Sequence, residues 1–358
     1  MSPFPRADYR ALTRYDPGRA PVHLDLIDNT NLWGPHPAAL ERIRAATADD
    51  LARYPELYAD VLRCAVADRF GVDPDCVTTG AGSDDILDSA YRAACGPGGT
   101  TMYAAPTFSM VVPFALMNGM AARAVPWAEA LADPEALLVG EPDLVYVCRP
   151  NNPTGALAPA DWLDRLVALR GDAGPLIVID EAYADFAGET LLPRAPSISR
   201  FLVVRTASKA YGLAGLRCGF AVGAREVALE IEKSRGPYKV SGLAAAATAA
   251  AVRDESGWMG RAVESCLANR IRLHDELVAR GADPLESHAN FILFAAPTGD
   301  ARADADALRA AGIGVRPFTD VPGIGEGLRV TVGPWKSMEA FLCALDDTFG
   351  RAPAAPRP

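Results

Sequence analysis

Short apolar runs alternate with amphipathic segments through the first two thirds of the chain. Continuous apolar or β-branched runs predict buried strands at residues 76–79, 100–104, 144–148, 176–179 and 201–204. Between them, segments such as residues 160–170 repeat apolar positions at helical spacing, which predicts helices. Strands that are apolar on both faces and separated by helices are typical of a mostly parallel sheet covered on both sides. The pattern therefore predicts an α/β fold.

The pattern changes near residue 241. An alanine-rich helical segment at 243–253 leads into a long helix, and shorter strands and helices follow, which predicts a smaller α+β domain. We therefore expect an N-terminal arm at 1–34 that joins the small domain, a large domain at 35–240 and the small domain at 241–349. The last residues, 350–358, are rich in proline and alanine and are expected to be a disordered tail.

Composition and charge narrow the possible functions. The chain has 358 residues, enough for two domains, and its net charge of −10 argues against nucleic acid as a partner. No charged start is followed by a long apolar run, so neither a signal peptide nor a membrane span is expected. The seven cysteines lack CxxC or Cys/His ligand spacing, which indicates core residues in a reducing cytoplasm and no metal site.

A lysine follows the strand predicted at residues 201–204. Thr206 and Ser208 precede Lys209, and Arg217 comes eight residues later in a glycine-rich stretch. These side chains suit an anionic cofactor held by an amine, because Schiff-base chemistry needs a partly desolvated amine. The alternative is a surface lysine in a glycine-rich loop.

A second candidate anion site lies where a helix is predicted to begin after a glycine turn. Gly82 lets the backbone approach a ligand, Ser83 is a suitable N-cap, and the first turn presents free N–H groups. Asp84 and Asp85 suit the positive helix end but would repel phosphate from inside, so we expect both to point outward. A plain strand-to-helix turn is the alternative.

Several chemistry-bearing residues fall just past predicted strand ends. Ligands of open α/β sheets bind outside the carboxyl ends of the strands. A single site is therefore predicted from six residues: Ser83, Phe108, Asn152, Asp180, Tyr183 and Lys209.

Four ordered motifs resemble a known family. They are RPNNPTG at 149–155, DEAY at 180–183, TASKAYGLAGLRCGF at 206–220 and GLRVTVG at 327–333. The chain resembles the pyridoxal-phosphate (PLP) aminotransferases of fold type I, in the histidinol-phosphate aminotransferase-like branch, over roughly residues 24–345. The resemblance implies the PLP-dependent transferase fold type I. That fold has a large domain with a mostly parallel seven-stranded sheet between helices, plus a smaller α+β domain.

The resemblance implies roles for the residues that surround the cofactor ring. Lys209 would form a Schiff base with PLP and then shuttle the substrate proton. Asp180 would pair with the pyridine nitrogen and keep it protonated, so that the ring accepts electrons. Tyr183 and Asn152 would hydrogen-bond the phenolic oxygen, and Phe108 would stack on the ring.

The resemblance also implies how the phosphate is held. The backbone at Gly82, Ser83 and Asp84, the hydroxyls of Thr206 and Ser208, and the Arg217 guanidinium would bind it. Tyr54 matches a tyrosine that the family supplies from a neighbouring subunit, which implies a homodimer with shared active sites.

The substrate pocket is where the match departs from the family. Arg329 matches the arginine that grips the α-carboxylate, and Arg316 matches one that contacts a distal phosphate. The usual Asn-Glu-Asn-Pro is Asn-Thr-Asn-Leu at 29–32, so Asn31 and Trp33 are expected to line an altered pocket.

The predicted function is a PLP-dependent aminotransferase that moves an amino group between an amino acid and a 2-oxo acid or oxo-phosphate, with histidinol phosphate and 2-oxoglutarate as the first choice. An aromatic or unusual amino acid is the main alternative, and a decarboxylase of the threonine-phosphate type is another. A PLP-sensing regulator would need an N-terminal DNA-binding domain, whereas the fold motifs begin by residue 24 with no basic helix before them.

Overall fold

The computed structural model describes residues 4–5, 9–10, 12–14 and 21–350. The tail predicted at 350–358 lies outside the described residues except for Gly350, as does much of the predicted arm before residue 21. Within the described part, no helix is both long enough and apolar enough to cross a membrane.

The strands and helices follow one another in the alternation that the sequence predicts. The strands are β1 (Leu24–Asp25), β2 (Val77–Gly80), β3 (Thr100–Ala105), β4 (Ala121–Pro126), β5 (Leu144–Cys148), β6 (Leu176–Asp180), β7 (Phe201–Thr206), β8 (Gly219–Gly223), β9 (Phe291–Ala295), β10 (Ile313–Gly314), β11 (Arg316–Val321) and β12 (Gly325–Thr331). The helices are α1 (Pro37–Arg44), α2 (Ala48–Ala52), α3 (Asp60–Phe70), α4 (Ser83–Ala94), α5 (Val111–Met117), α6 (Trp127–Ala132), α7 (Ala160–Arg170), α8 (Arg225–Lys233), α9 (Gly242–Arg253), α10 (Trp258–Val278), α11 (Ala301–Ala310) and α12 (Trp335–Phe349).

Seven strands form the large sheet, in the order β2-β8-β7-β6-β5-β3-β4. β3, β4, β5, β6 and β7 pair in parallel, whereas β8 runs antiparallel to both of its neighbours. The register sets Cys148 beside Asp180 and Asp180 beside Val204, so the carboxyl ends of β5, β6 and β7 meet at one edge. The predicted mostly parallel seven-stranded sheet is confirmed.

Helices cover both faces of this sheet because its central strands are apolar on both sides. In β5, Val145 and Val147 pack in a core with α3, α7 and α9, while Leu144 and Tyr146 pack in a second core with α4, α5 and α8. Removing both faces from water is the main drive for this arrangement. The edge strand β4 was not predicted, because most of its residues are exposed or half-buried and give no apolar run.

A smaller antiparallel sheet, β11-β12-β9, packs with α10, α11 and α12 around a third core. β1 pairs in parallel with β10, Leu24 opposite Ile313, which ties the N-terminal segment to the C-terminal part of the chain. This pairing supports the predicted arm. The boundaries at residues 34, 240 and 349 stay a prediction.

Candidate active site

A cavity of about 210 Å³ lies at the carboxyl ends of the large-sheet strands, where the N-terminal segment and the small sheet meet them. Twelve of the residues predicted for the site line it: Ser83, Asp84, Phe108, Asn152, Asp180, Tyr183, Thr206, Ser208, Lys209, Arg217, Arg316 and Arg329. Sequence positions more than 200 residues apart therefore meet in one cavity, as the strand-end argument predicts.

Lys209 lies in the loop that leaves β7. Its Nζ donates to the carbonyl of Asp28 at 2.6 Å and lies 5.7 Å from the centre of the Tyr183 ring. Burial lowers the pKa of this amine to about 8, and the nearby positive charge of Arg329 acts in the same direction. A larger share of Lys209 is therefore neutral near pH 7 than of an exposed lysine, as a nucleophilic amine requires.

Asp180 ends β6 and is only 4% exposed. Its Oδ2 accepts from the Tyr146 hydroxyl at 2.8 Å, and its Oδ1 accepts from the N–H of Ala182 at 3.1 Å. Burial raises the pKa of Asp180 to about 6, because the carboxylate makes no ion pair with any residue that the structure describes. A buried carboxylate without a cation suits a protonated ring nitrogen.

The N-terminal segment and the small sheet close the cavity above Asp180. Asn29 Nδ2 donates to the Tyr183 hydroxyl at 3.0 Å, and burial raises the pKa of that hydroxyl. On β12, Arg329 hydrogen-bonds the Asn152 amide oxygen and donates from Nη2 to the carbonyl of Ile27 at 2.6 Å. A buried guanidinium is thus oriented into the cavity before any ligand binds.

The opposite end of the cavity has the chemistry of an anion site. The N-terminus of α4 begins at Ser83, and the Thr206 hydroxyl donates to the Ser208 hydroxyl at 3.0 Å. Gly82 precedes the helix with φ of 87°, and a Cβ there would come 2.7 Å from the Arg217 guanidinium. The left-handed backbone angle therefore favours glycine at this turn, whereas a Cβ would only require the flexible end of the Arg217 side chain to shift.

The expected outward orientation of Asp84 was wrong. Its carboxylate reaches the cavity, where Oδ2 lies 3.2 Å from Arg217 Nη2, because this guanidinium offers a counter-charge inside the site. Asp85 does lie outside the cavity lining; it accepts from the N–H of Ala81 at 3.0 Å and pairs with Lys239.

Four residues predicted for the site are not among those that line the cavity. Gly82 lies beside the Arg217 guanidinium, and Tyr54 is 84% exposed and stacks on Tyr238 with 4.9 Å between ring centres. Asn31 instead holds the N-terminal turn, donating to the Ala210 carbonyl and accepting from the N–H of Trp33, both at 2.9 Å.

Nine other residues that line the cavity were not among the site residues predicted from the sequence. Their signals were weak, since most of them only flank a predicted residue in the chain. They are Asp28, Asn29, Thr30, Thr107, Ser109, Cys148, Ala182, Ala214 and Phe318.

Comparisons with known proteins agree with this geometry. The family model described as "Aminotransferase class I and II" matches residues 23–345. The chain is 38% identical to histidinol-phosphate aminotransferase of Aromatoleum aromaticum (97% of this chain, 99% of the relative). It is 36% identical to aromatic amino acid aminotransferase of Streptomyces coelicolor (95% and 96%). The histidinol-phosphate aminotransferase of Sinorhizobium meliloti, solved in complex with pyridoxal-5'-phosphate, has a similar fold, with a TM-score of 0.86, 24% identity and 98% of each chain covered.

Proposed function

The chain belongs to the class I and II aminotransferases, as its motifs predicted, and we propose that its cavity transfers an amino group between an amino acid and a 2-oxo acid on bound PLP. One observation carries the proposal. A half-buried amine with a lowered pKa, Lys209, and a buried carboxylate without a cation among the described residues, Asp180, share one small cavity. Perturbed titratable groups that converge in a cavity mark functional sites.

The residues present fit PLP at both of its ends. The α4 N-terminus, Thr206, Ser208 and Arg217 would hold the phosphate, and Asp180 would face the ring nitrogen. PLP supplies an electron-withdrawing ring that stabilises negative charge on the substrate carbon. Phe108, Asn152 and Tyr183 would orient that ring.

Lys209 would hold the cofactor through its amine and, once released, move a proton at Nζ to and from the substrate carbon. Its hydrogen bond to the Asp28 carbonyl supports this role, because the bond fixes the position of Nζ and so orients the lone pair that accepts a proton. The surrounding side chains limit the access of water, since Tyr183 is buried in the cavity wall and Lys209 is half-buried.

The substrate end of the cavity favours a substrate that carries a strongly anionic group. Arg316 and Arg329 both line it, together with the hydroxyls of Thr30, Thr107 and Ser109. Two guanidinium groups and several hydroxyls suit a phosphorylated amine such as histidinol phosphate, with 2-oxoglutarate as the acceptor. The name of the 38%-identical relative agrees.

A second candidate substrate is an aromatic amino acid. Phe108 and Phe318 line the same cavity, and the 36%-identical relative bears that name. No contact among the described residues favours the decarboxylase that was the other alternative.

A half-reaction screen distinguishes these substrates. PLP-loaded protein is mixed with histidinol phosphate, histidinol or phenylalanine, and loss of the cofactor's visible absorption is followed. We expect histidinol phosphate to react best. Arg316→Ala should raise the concentration needed for half-conversion by histidinol phosphate about 10- to 100-fold, because a hydrogen bond to a charged group is worth about 1.5–3 kcal/mol. Histidinol, which lacks the phosphate, should be little affected.

Lys209→Ala is the negative control: it lacks the reacting amine and should convert none of the donors. Fast conversion of phenylalanine with none of histidinol phosphate would favour the aromatic substrate. If Arg316→Ala raises the concentration needed for half-conversion equally for histidinol phosphate and histidinol, Arg316 does not bind the phosphate. If no amine converts the cofactor, the proposed function is contradicted.

We also propose a homodimer. Tyr54 (84% exposed) stacks on the exposed Tyr238 and forms an aromatic surface patch with it, and Lys239, next to Tyr238, pairs with Asp85 in the first turn of α4. Such a patch marks an interaction surface. Sedimentation should give twice the 37.8 kDa chain mass, and Tyr54→Asp should shift it toward the monomer. Val139→Asp, at an exposed valine elsewhere, is the control, and a monomeric wild type would contradict the dimer.

The cytoplasmic location also stays a proposal. All seven cysteines are free, and four of them are buried as small core residues. This supports a reducing compartment, and fractionation of the producing cells would test it.

A further inference from the structure

Tyr146 has a buried hydroxyl to which the proposed function assigns no role. It lies in the middle of β5, opposite Val178 of β6, and its side chain is completely enclosed in the core under α4. From this position its hydroxyl donates to Oδ2 of Asp180 at 2.8 Å. Because both residues stand on paired strands, the sheet itself fixes the hydroxyl relative to the carboxylate.

The environment of Asp180 otherwise opposes its negative charge. Burial raises its pKa, and the nearby carboxylates of Asp84 and Glu181 act in the same direction, whereas the bonds from Tyr146 and Ala182 lower it. The groups that interact electrostatically with Asp180 from the packed elements are Asp84, Tyr91, Tyr146, Cys148, Glu181 and Tyr183. None of these is a cation, so hydrogen bonds must hold the charge.

We propose that Tyr146 is a positioning residue that acts through Asp180. By donating to Oδ2 it keeps the carboxylate ionised and fixes its plane, so that the cofactor's ring nitrogen stays protonated. The Ala182 N–H occupies Oδ1 from the loop side, and the two donors together leave the remaining lone pairs for the ring. The inference rests on the proposed function, in which Asp180 faces that nitrogen.

Tyr91 provides a matched control. It lies on α4 in the same core as Tyr146, its side chain is also fully buried, and no hydrogen bond among the described residues joins its hydroxyl to Asp180. Tyr91→Phe and Tyr146→Phe therefore each remove one buried hydroxyl from the same core, but only the second touches the carboxylate.

The test uses PLP-loaded protein and two readouts. The first is the midpoint pH at which the visible absorption band of the bound cofactor is half-converted between its two protonation forms. The second is the pair of steady-state constants, kcat and KM. Tyr146→Phe should raise the midpoint by about one pH unit and lower kcat about tenfold, because a hydrogen bond to a charged group is worth about 1.5 kcal/mol or more. KM for the amino donor should change little, since Tyr146 does not line the cavity. Tyr91→Phe should match the wild type in both readouts.

A double variant tests whether Tyr146 acts through Asp180. In an Asp180→Asn background, Tyr146→Phe should cause no further loss of kcat, because the partner carboxylate is already absent. Losses that multiply independently would overturn the inference, as would a Tyr146→Phe variant that behaves like Tyr91→Phe.

Two further outcomes separate the inference from the function on which it rests. If Asp180→Asn is impaired while Tyr146→Phe is not, only the inference fails. If Asp180→Asn keeps the wild-type band and turnover, the proposed role of Asp180 fails first. If Tyr146→Phe does not fold, 3-fluorotyrosine can be placed at position 146, because it has nearly the same size and its hydroxyl is a stronger hydrogen-bond donor. It should lower the midpoint pH of the visible band. An unchanged or raised midpoint would overturn the inference.

Discussion

Two consecutive carboxylates, Asp180 and Glu181, are buried at the end of the same strand and have opposite kinds of partner. Glu181 is completely buried beside Arg205, whose Nη1 lies 3.5 Å from Oε2, and it accepts from the Leu191 N–H at 2.7 Å. Asp180 faces the cavity and, among the residues that the structure describes, accepts only from the Tyr146 hydroxyl and a backbone N–H.

The difference distinguishes a carboxylate that is paired within the fold from one that faces the cavity, for which we propose a functional role. Burial raises the pKa of both, but Arg205 acts against that rise at Glu181, and this arginine also pairs with Asp185. The charge of Glu181 is balanced within the fold. The charge of Asp180 has no cation among the described residues. The protonated ring nitrogen of PLP would supply one if the cofactor lies in the adjoining cavity as proposed.

The largest effect is expected on the structural side. Arg205→Met keeps an unbranched apolar stem but is shorter than arginine, and it leaves Glu181 and Asp185 without their cation. Breaking a buried pair in this way should lower the free energy of unfolding by about 3–5 kcal/mol. Urea unfolding measures the loss. Arg225→Met is the control, because Arg225 is 75% exposed and its pair with Asp75 should contribute about 1 kcal/mol or less.

A loss for Arg205→Met no larger than that of the control would break the distinction between the two carboxylates. It would mean that the Glu181 charge is balanced by something other than Arg205.

A smaller effect should appear at Asp180 as a dependence of stability on pH. The pKa of Asp180 in the fold is about 6, above the ordinary value of 3.8, so the folded protein binds this proton more tightly than the unfolded chain. The carboxylate therefore costs no stability below pH 4 and destabilises the cofactor-free fold as the pH rises through 6. At pH 7 the cost is about 3 kcal/mol at most.

Asp180→Asn removes this cost, so the stability difference between variant and wild type should grow in the variant's favour between pH 4 and pH 7. Urea unfolding of both proteins without cofactor measures it. Loading with PLP should reverse the trend in the wild type, because Asp180 then has its cation. A difference that is equal at both pH values would show that Asp180 is not destabilised by its burial.

Much of the fold could be predicted because the central strands are apolar on both faces, a pattern that few other structures produce. The strand-end rule predicts that Asp180, Asn152 and Lys209 lie together, and all three line the same cavity. Tyr146 could not be found in this way, since a tyrosine inside an apolar strand gives the same pattern as a core aromatic residue. The orientation of Asp84 depended on Arg217, which lies 133 positions away.

The hydrogen bonds that close the cavity connect the two ends of the chain. The N–H of Asn29 donates to the Thr331 hydroxyl at 3.0 Å, across 302 positions, and the Lys209 amine donates to the Asp28 carbonyl. During synthesis on the ribosome, residue 331 emerges long after the strands of the large sheet. We therefore expect the N-terminal segment to be fixed over the Lys209 amine only after β12 has been synthesised, since Thr331 lies on that strand.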